Sequence, residues 1–137
     1  MRLTQLTEKI DVDATVRAVG YGRIALGVSY LAAPGVALRL WPGPSRGVTT
    51  HANEAILAMM ARSIGGRDVG LGMGALLAQK HGSPVRGWLE AALLADVADA
   101  VAILLAFRHL PRAKAVLMLG AAVGTAAAGR ALASAVG

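Results

Sequence analysis

Six ionisable side chains set within otherwise apolar stretches carry what chemistry this sequence offers: Arg23, Arg62, Arg67, Asp68, Asp96 and Asp99. Asp96 and Asp99 stand three residues apart in Ala-Asp-Val-Ala-Asp, which puts both carboxylates on one face of a helix. Arg67 and Asp68 are consecutive and so about 100° apart on a helical wheel, which lets one residue pair serve two neighbouring directions. In the first apolar stretch Gly20, Arg23 and Gly27 share a face, with Tyr30 a turn beyond, and that face is expected to look inward. Three arginines against three aspartates form a balanced set, as a closed network of ion pairs requires. The same groups could instead line a pocket or exchange protons as an acid and base pair. Ion pairing is the expectation: Asp96 and Asp99 aim at Arg23, Arg62 or Arg67 across the fold, and Asp99→Ala costs several kcal/mol by stranding an arginine.

Around these charges runs Arg62-Ser-Ile-Gly-Gly-Arg67-Asp68-Val-Gly-Leu-Gly-Met-Gly74. Gly66, Gly70 and Gly74 recur at every fourth residue with Arg62 one turn ahead, a face expected to let a neighbouring helix approach closely. The run is no nucleotide-binding fingerprint, because no strand precedes it and Arg-Asp does not suit the G-x-G-x-x-G turn. No metal centre is expected either. His51, His81 and His109 are placed in loops, and two helical carboxylates without a helical histidine do not make a ligand set. The absence of cysteine excludes disulfides, thiolate metal sites and cysteine nucleophiles. No cofactor is implied.

Helices must position these groups, and the composition indicates their solvent. The 137 residues are 55% hydrophobic with mean hydropathy +0.56, and 16% are charged, against about 25% in an ordinary soluble domain. Crossing a bilayer takes about 20 mostly apolar residues, and four stretches at 16–38, 54–79, 87–107 and 113–134 use most of the chain as a single membrane domain. Between them lie Arg39 to Asn53, with Trp-Pro-Gly-Pro and with Arg39 and Trp41 suited to the headgroup level, then Lys80 to Arg86, then Arg108 to Lys114. The expected fold is all-α, an integral membrane four-helix bundle with a short N-terminal interfacial segment up to Thr15. In that segment Leu3, Leu6 and Ile10 recur at helical spacing, and Asp11 and Asp13 precede the next helix as caps. It holds no apolar core of the kind a cleavable signal peptide requires. Pro34 is expected to kink the end of the first helix. With five aromatic residues and abundant alanine and glycine, the helices should pack through small side chains. The short later connections favour antiparallel neighbours and set the two charged helices side by side.

Gly22-Arg23-x-x-x-Gly27 with Ala33-Pro34, Gly66-Arg67-Asp68 with Leu71-Gly72, and Asp96-x-x-Asp99 together resemble a family of small bacterial four-helix membrane proteins of unknown function, and more distantly the DoxX-like group. The resemblance covers about the first three quarters of the chain. It implies a four-helix fold and no established activity, so it transfers no catalytic residue.

The formal net charge of +6 would suit nucleic acid, but Lys and Arg are scattered singly without a basic stripe or aromatic interleaving. Membrane lipids are the expected partners, with anionic headgroups meeting those charges, and no nucleic acid. The leading function is that of a structural or accessory subunit whose inner charges fix helix register. The alternative is a membrane enzyme or binding protein for a lipid-like or quinone-like molecule, which a cavity reaching Asp96 or Asp99 would favour. A transporter or channel ranks last, because paired Arg and Asp neutralise a conducted ion's path. Eleven arginines against three lysines suggest a GC-rich bacterial genome, hence a multi-pass protein of the bacterial inner (plasma) membrane. An even helix number puts both termini on one side, which a slight excess of Lys and Arg makes cytoplasmic. So small a bias also admits dual insertion, with an antiparallel homodimer across Gly120, Gly124 and Ala128 of the fourth helix.

Overall fold

Alanine and leucine are prominent in the apolar stretches and proline is confined to their borders, while each interior glycine costs about 1 kcal/mol of helix propensity that packing must offset. The computed structural model describes residues 12–36 and 51–136, and these are all-α. They comprise α1 (Val12–Ala32), α2 (His51–Lys80), α3 (Arg86–Ala106), a 3-10 turn (Phe107–His109) and α4 (Arg112–Ala135).

The boundaries depart from the sequence-based expectation in instructive ways. α1 begins at Val12, which places Asp13 in its first turn rather than ahead of it, where its charge favours the positive helix end. The helix is interrupted at Ala33 and residues 34–36 are helical again. The residue before a proline is disfavoured in the helical region, so Pro34 breaks the helix one position ahead of itself. α2 starts at His51, so this histidine opens a helix and is not in a loop. Residues 1–11 of the expected interfacial segment and 39–50 of the first connection, with Arg39 and Trp41, lie outside the described residues.

The turn after α2 closes on Gly82, whose φ of 65° is the left-handed conformation that glycine adopts without penalty. Ser83 N–H donates to the Ala78 carbonyl at 2.8 Å and Gly82 N–H to that of Gln79 at 3.2 Å, the paired bonds of a Schellman cap. Pro84 then bars continuation and α3 starts afresh two residues later. At the next connection Leu110 is extended ahead of Pro111, and Ala115 N–H returns to the Pro111 carbonyl at 2.9 Å.

α1 and α2 pack antiparallel along two glycine pairs, each spaced seven residues apart. A Cβ built on Gly27 would lie 2.5 Å from the Gly65 carbonyl oxygen, and one on Gly72 would lie 2.5 Å from that of Gly20. Backbone touches backbone there, as small residues permit. The glycines expected to do this do not: Gly66 and Gly70 face open space, and Gly74 lies under the ring of Trp88. The seam therefore runs along Gly65 and Gly72 instead.

α3 and α4 form the second close pair, and the two pairs meet each other more loosely. At one end Val16, Leu89, Leu132 and Ala133 make a buried cluster joining α1, α3 and α4. There the Gln79 amide also donates to the Asp13 carbonyl at 3.0 Å, tying the end of α2 to the start of α1. The other buried apolar residues are mostly alanines, while Leu94, Leu105 and Leu117 are 69%, 78% and 66% exposed. Two of the most buried groups are instead the carboxylates of Asp68 and Asp96. Among the described residues α4 alone is long and apolar enough to cross a membrane. The charges inside α1, α2 and α3 lower their mean hydropathy, so composition does not mark them as the spans expected above.

Candidate functional site

The inner faces of α1, α2 and α3 bring five of the six charged residues into one chain of ion pairs. Arg23 donates through Nη1 to Asp68 Oδ1 at 3.2 Å and through Nη2 to Asp96 Oδ2. Arg67 donates to Asp99 through both Nη1 and Nη2, at 3.0 and 2.8 Å, the two-pronged geometry that suits guanidinium and carboxylate. Its Nη2 also lies 3.4 Å from Asp68 Oδ1. The order is Asp96, Arg23, Asp68, Arg67, Asp99, with Asp68 shared by both arginines. The consecutive placement of Arg67 and Asp68 explains the geometry: Asp68 turns to α1 while Arg67 reaches α3.

Arg62 is not part of this set. It sits on the exposed face of α2 with Gly66 and Gly70 and pairs with none of the three aspartates. Two arginines therefore face three aspartates, and the expected three-to-three balance gives way to a formal surplus of one negative charge. Burial is graded along the chain: the side chains of Asp68 and Asp96 are 5% and 8% exposed, that of Asp99 41%. Arg67 Nε is buried without a hydrogen-bond partner, an uncompensated donor in a network otherwise paired.

The network borders a cavity of about 470 Å³ between the two helix pairs. Arg23, Leu26 and Tyr30 of α1, Ile64, Arg67 and Asp68 of α2, and Leu89, Asp96, Asp99 and Ile103 of α3 line it. From α4 come Met118, Ala121, Ala122, Thr125, Ala128 and Gly129, so the small side chains of that helix make room for a void. Ala128 thus lines the cavity, whereas Gly120 and Gly124 face open space. The aspartates and Tyr30 were visible as polar residues in apolar sequence; the α4 wall was not, since nothing in a run of alanines tells a packed face from an empty one. Tyr30 is 5% exposed, yet its hydroxyl makes no hydrogen bond to any described residue. A groove between Gly70 and Trp88 lies apart from the network and contains no Asp, Glu, Lys or Arg. No cluster of three metal-ligating side chains occurs among the described residues. Comparison of the chain with protein-family models, curated proteins and solved structures finds no match.

This geometry lowers the cost anticipated for Asp99→Ala. Arg67 keeps Asp68 within reach and Asp99 is half-exposed, so the change is expected to cost about 1.5–3 kcal/mol, the range for a hydrogen bond to a charged group. Unfolding of the variant in detergent measures it; a midpoint equal to that of the parent would remove Asp99 from the stabilising network.

Proposed function

We propose that the chain is a small multi-pass protein of the bacterial plasma membrane, a four-helix bundle that binds a lipophilic small molecule between its two helical hairpins. The observation that carries this reading is the cavity of about 470 Å³, apolar over most of its wall and bordered by the Arg/Asp network. Ligand pockets typically occupy about 300–1,000 Å³ and combine such walls with a few placed polar groups.

The membrane setting rests on the distribution of burial. Arg23, Arg67, Asp68, Asp96 and Asp99 turned inward, Arg62 excepted, and large aliphatic side chains turned outward suit a hydrocarbon surround, where an unpaired charge is costly and an exposed leucine is not. Hydroxyls follow the same logic: Ser29, Ser63, Thr125 and Ser134 each donate to a carbonyl of their own helix. Windowed hydropathy counts against α1 to α3 the charges of Arg23, Arg67, Asp68, Asp96 and Asp99, which pair across helices. In this reading the chain is one of the small bacterial four-helix membrane proteins its motifs resemble. The inner charges also fix helix register, so the structural role expected from sequence is part of the function.

Photolabelling the full-length protein in lipid nanodiscs with an uncharged aryl-diazirine probe, followed by peptide mass spectrometry, tests both halves. Adducts are expected on the outward Leu94, Leu105 and Leu117 and on the cavity-lining Ile103 and Met118, with the latter two lost in the cavity-filling Ala122→Phe variant. Labelling confined to the outward residues would leave a purely structural bundle. Outward residues left unlabelled would overturn the membrane assignment.

A further inference from the structure

We propose that the ligand of this cavity is a lipophilic monocation, an ammonium on an apolar body, held by Asp99 and Tyr30; the inference rests on the cavity being a ligand site. Charge is the first ground. Among the described residues Arg23 and Arg67 face Asp68, Asp96 and Asp99, so the network is formally one positive charge short, and Arg62, which would supply it, is on the other side of α2. A surplus charge at the wall of an apolar cavity is costly, and a cation entering the cavity relieves it.

The pairing pattern says which carboxylate would receive that cation. Asp68 and Asp96 are almost wholly buried and both bind Arg23, whereas Asp99 is 41% exposed and held by Arg67 alone. Arg67 already touches Asp68 and has a buried Nε without a partner, so its present position is incompletely satisfied. With an ammonium at Asp99, Arg67 moves fully to Asp68 and Arg23 to Asp96. Each carboxylate then has one cation.

Tyr30 is an independent ground. It lines the same cavity and is 5% exposed, and its hydroxyl, which is not among the enclosed unpartnered polar atoms, has no hydrogen-bond partner among the described residues. A tyrosine with an apolar body held in the fold and a hydroxyl left unpaired can offer that hydroxyl to a ligand. Its ring attracts a cation over its face, which a neutral or anionic ligand would not exploit. Leu26, Ile103 and Met118 offer the apolar body its contacts. A quinone would leave the charge surplus in place, and an anionic amphiphile would increase it.

Equilibrium binding to the full-length protein in phosphatidylcholine nanodiscs decides the matter, corrected for protein-free nanodiscs. The probes are trimethyl(4-phenylbutyl)ammonium, its uncharged isostere with tert-butyl in place of trimethylammonium, and 4-phenylbutyl sulfonate. The ammonium is expected to bind at least tenfold tighter than the isostere, and the sulfonate more weakly than either. Asp99→Asn should remove that advantage, Tyr30→Leu should reduce it at least threefold, and Arg62→Gln should leave it intact. The parent comparison needs no variant, so poor folding of Asp99→Asn would not blunt the test. Equal binding of ammonium and isostere, or tighter binding of the sulfonate, overturns the cation and leaves the cavity a ligand site. An ammonium advantage that survives Asp99→Asn overturns the assignment to Asp99. Binding of none of the three overturns the ligand site as well.

Discussion

Asp68→Ala is expected to lower the stability of the full-length protein by about 3–5 kcal/mol, because two hydrogen bonds between charged groups, each contributing about 1.5–3 kcal/mol, are lost together. Asp68 is 4% exposed and is the acceptor that both Arg23 and Arg67 share, so its loss takes one hydrogen-bond acceptor from each guanidinium at once. Arg23 would retain Asp96 and Arg67 would retain Asp99, but the bridge holding α1 to α2 at mid-height would be gone. Glu90→Ala supplies the contrast. Glu90 pairs with Arg86 one helical turn away, both side chains are about half-exposed, and the pair contributes no more than about 0.3–0.5 kcal/mol. SDS titration of the detergent-solubilised protein, followed by circular dichroism, reads both. If Asp68→Ala unfolds with Glu90→Ala and the parent, the network does not hold the fold together.

Gly65→Ala and Gly66→Ala are expected to act in opposite directions although they are neighbours. A methyl group on Gly65 would lie 2.6 Å from the Gly27 carbonyl oxygen and 2.8 Å from the Tyr30 Cβ. No rotamer relieves a clash with backbone, so α1 and α2 must separate, and overpacking of this kind costs about 1–3 kcal/mol. A methyl on Gly66 meets nothing within 4 Å. There the better helix propensity of alanine should stabilise by up to about 1 kcal/mol. The same unfolding titration separates the two; a Gly65→Ala protein as stable as Gly66→Ala would mean that the α1/α2 seam lies elsewhere.

That pair of residues also marks where sequence reading succeeds and where it stops. The four helices follow from apolar stretches bounded by Pro34, Pro84 and Pro111, because proline acts locally and its effect needs no knowledge of the rest of the fold. The choice of seam is not local. α2 carries two interleaved glycine sets, Gly65 with Gly72 and Gly66 with Gly70 and Gly74, and both have spacings that suit helix contact. What distinguishes them is the partner: Gly20 and Gly27 of α1 repeat the same seven-residue interval as Gly65 and Gly72, a match that could have been read across the two helices. Arg62 shares the fate of the wrong set, since it lies one turn from Gly66 and turns outward with it. The pairing of Arg67 with Asp99 was within reach because opposite charges in facing helices have few other places to go. The cavity was not, because an empty volume depends on how far apart two helix pairs settle and leaves no residue type as its sign.

The two close helix pairs and the looser meeting between them bear on how the molecule comes into being during translation. α1 and α2 emerge first and can join through their glycines alone, but this first pair carries Arg23 and Arg67 with only Asp68, an excess of one positive charge. α3 brings Asp96 and Asp99, so the nascent pair is electrostatically unfinished until the third helix arrives and reverses the sign of the imbalance. A chain truncated at the Gly82 turn would leave Arg67 without Asp99 and Arg23 without Asp96. Synthesis and assembly are thereby ordered by charge: the third helix supplies the carboxylates that the arginines of the first two await.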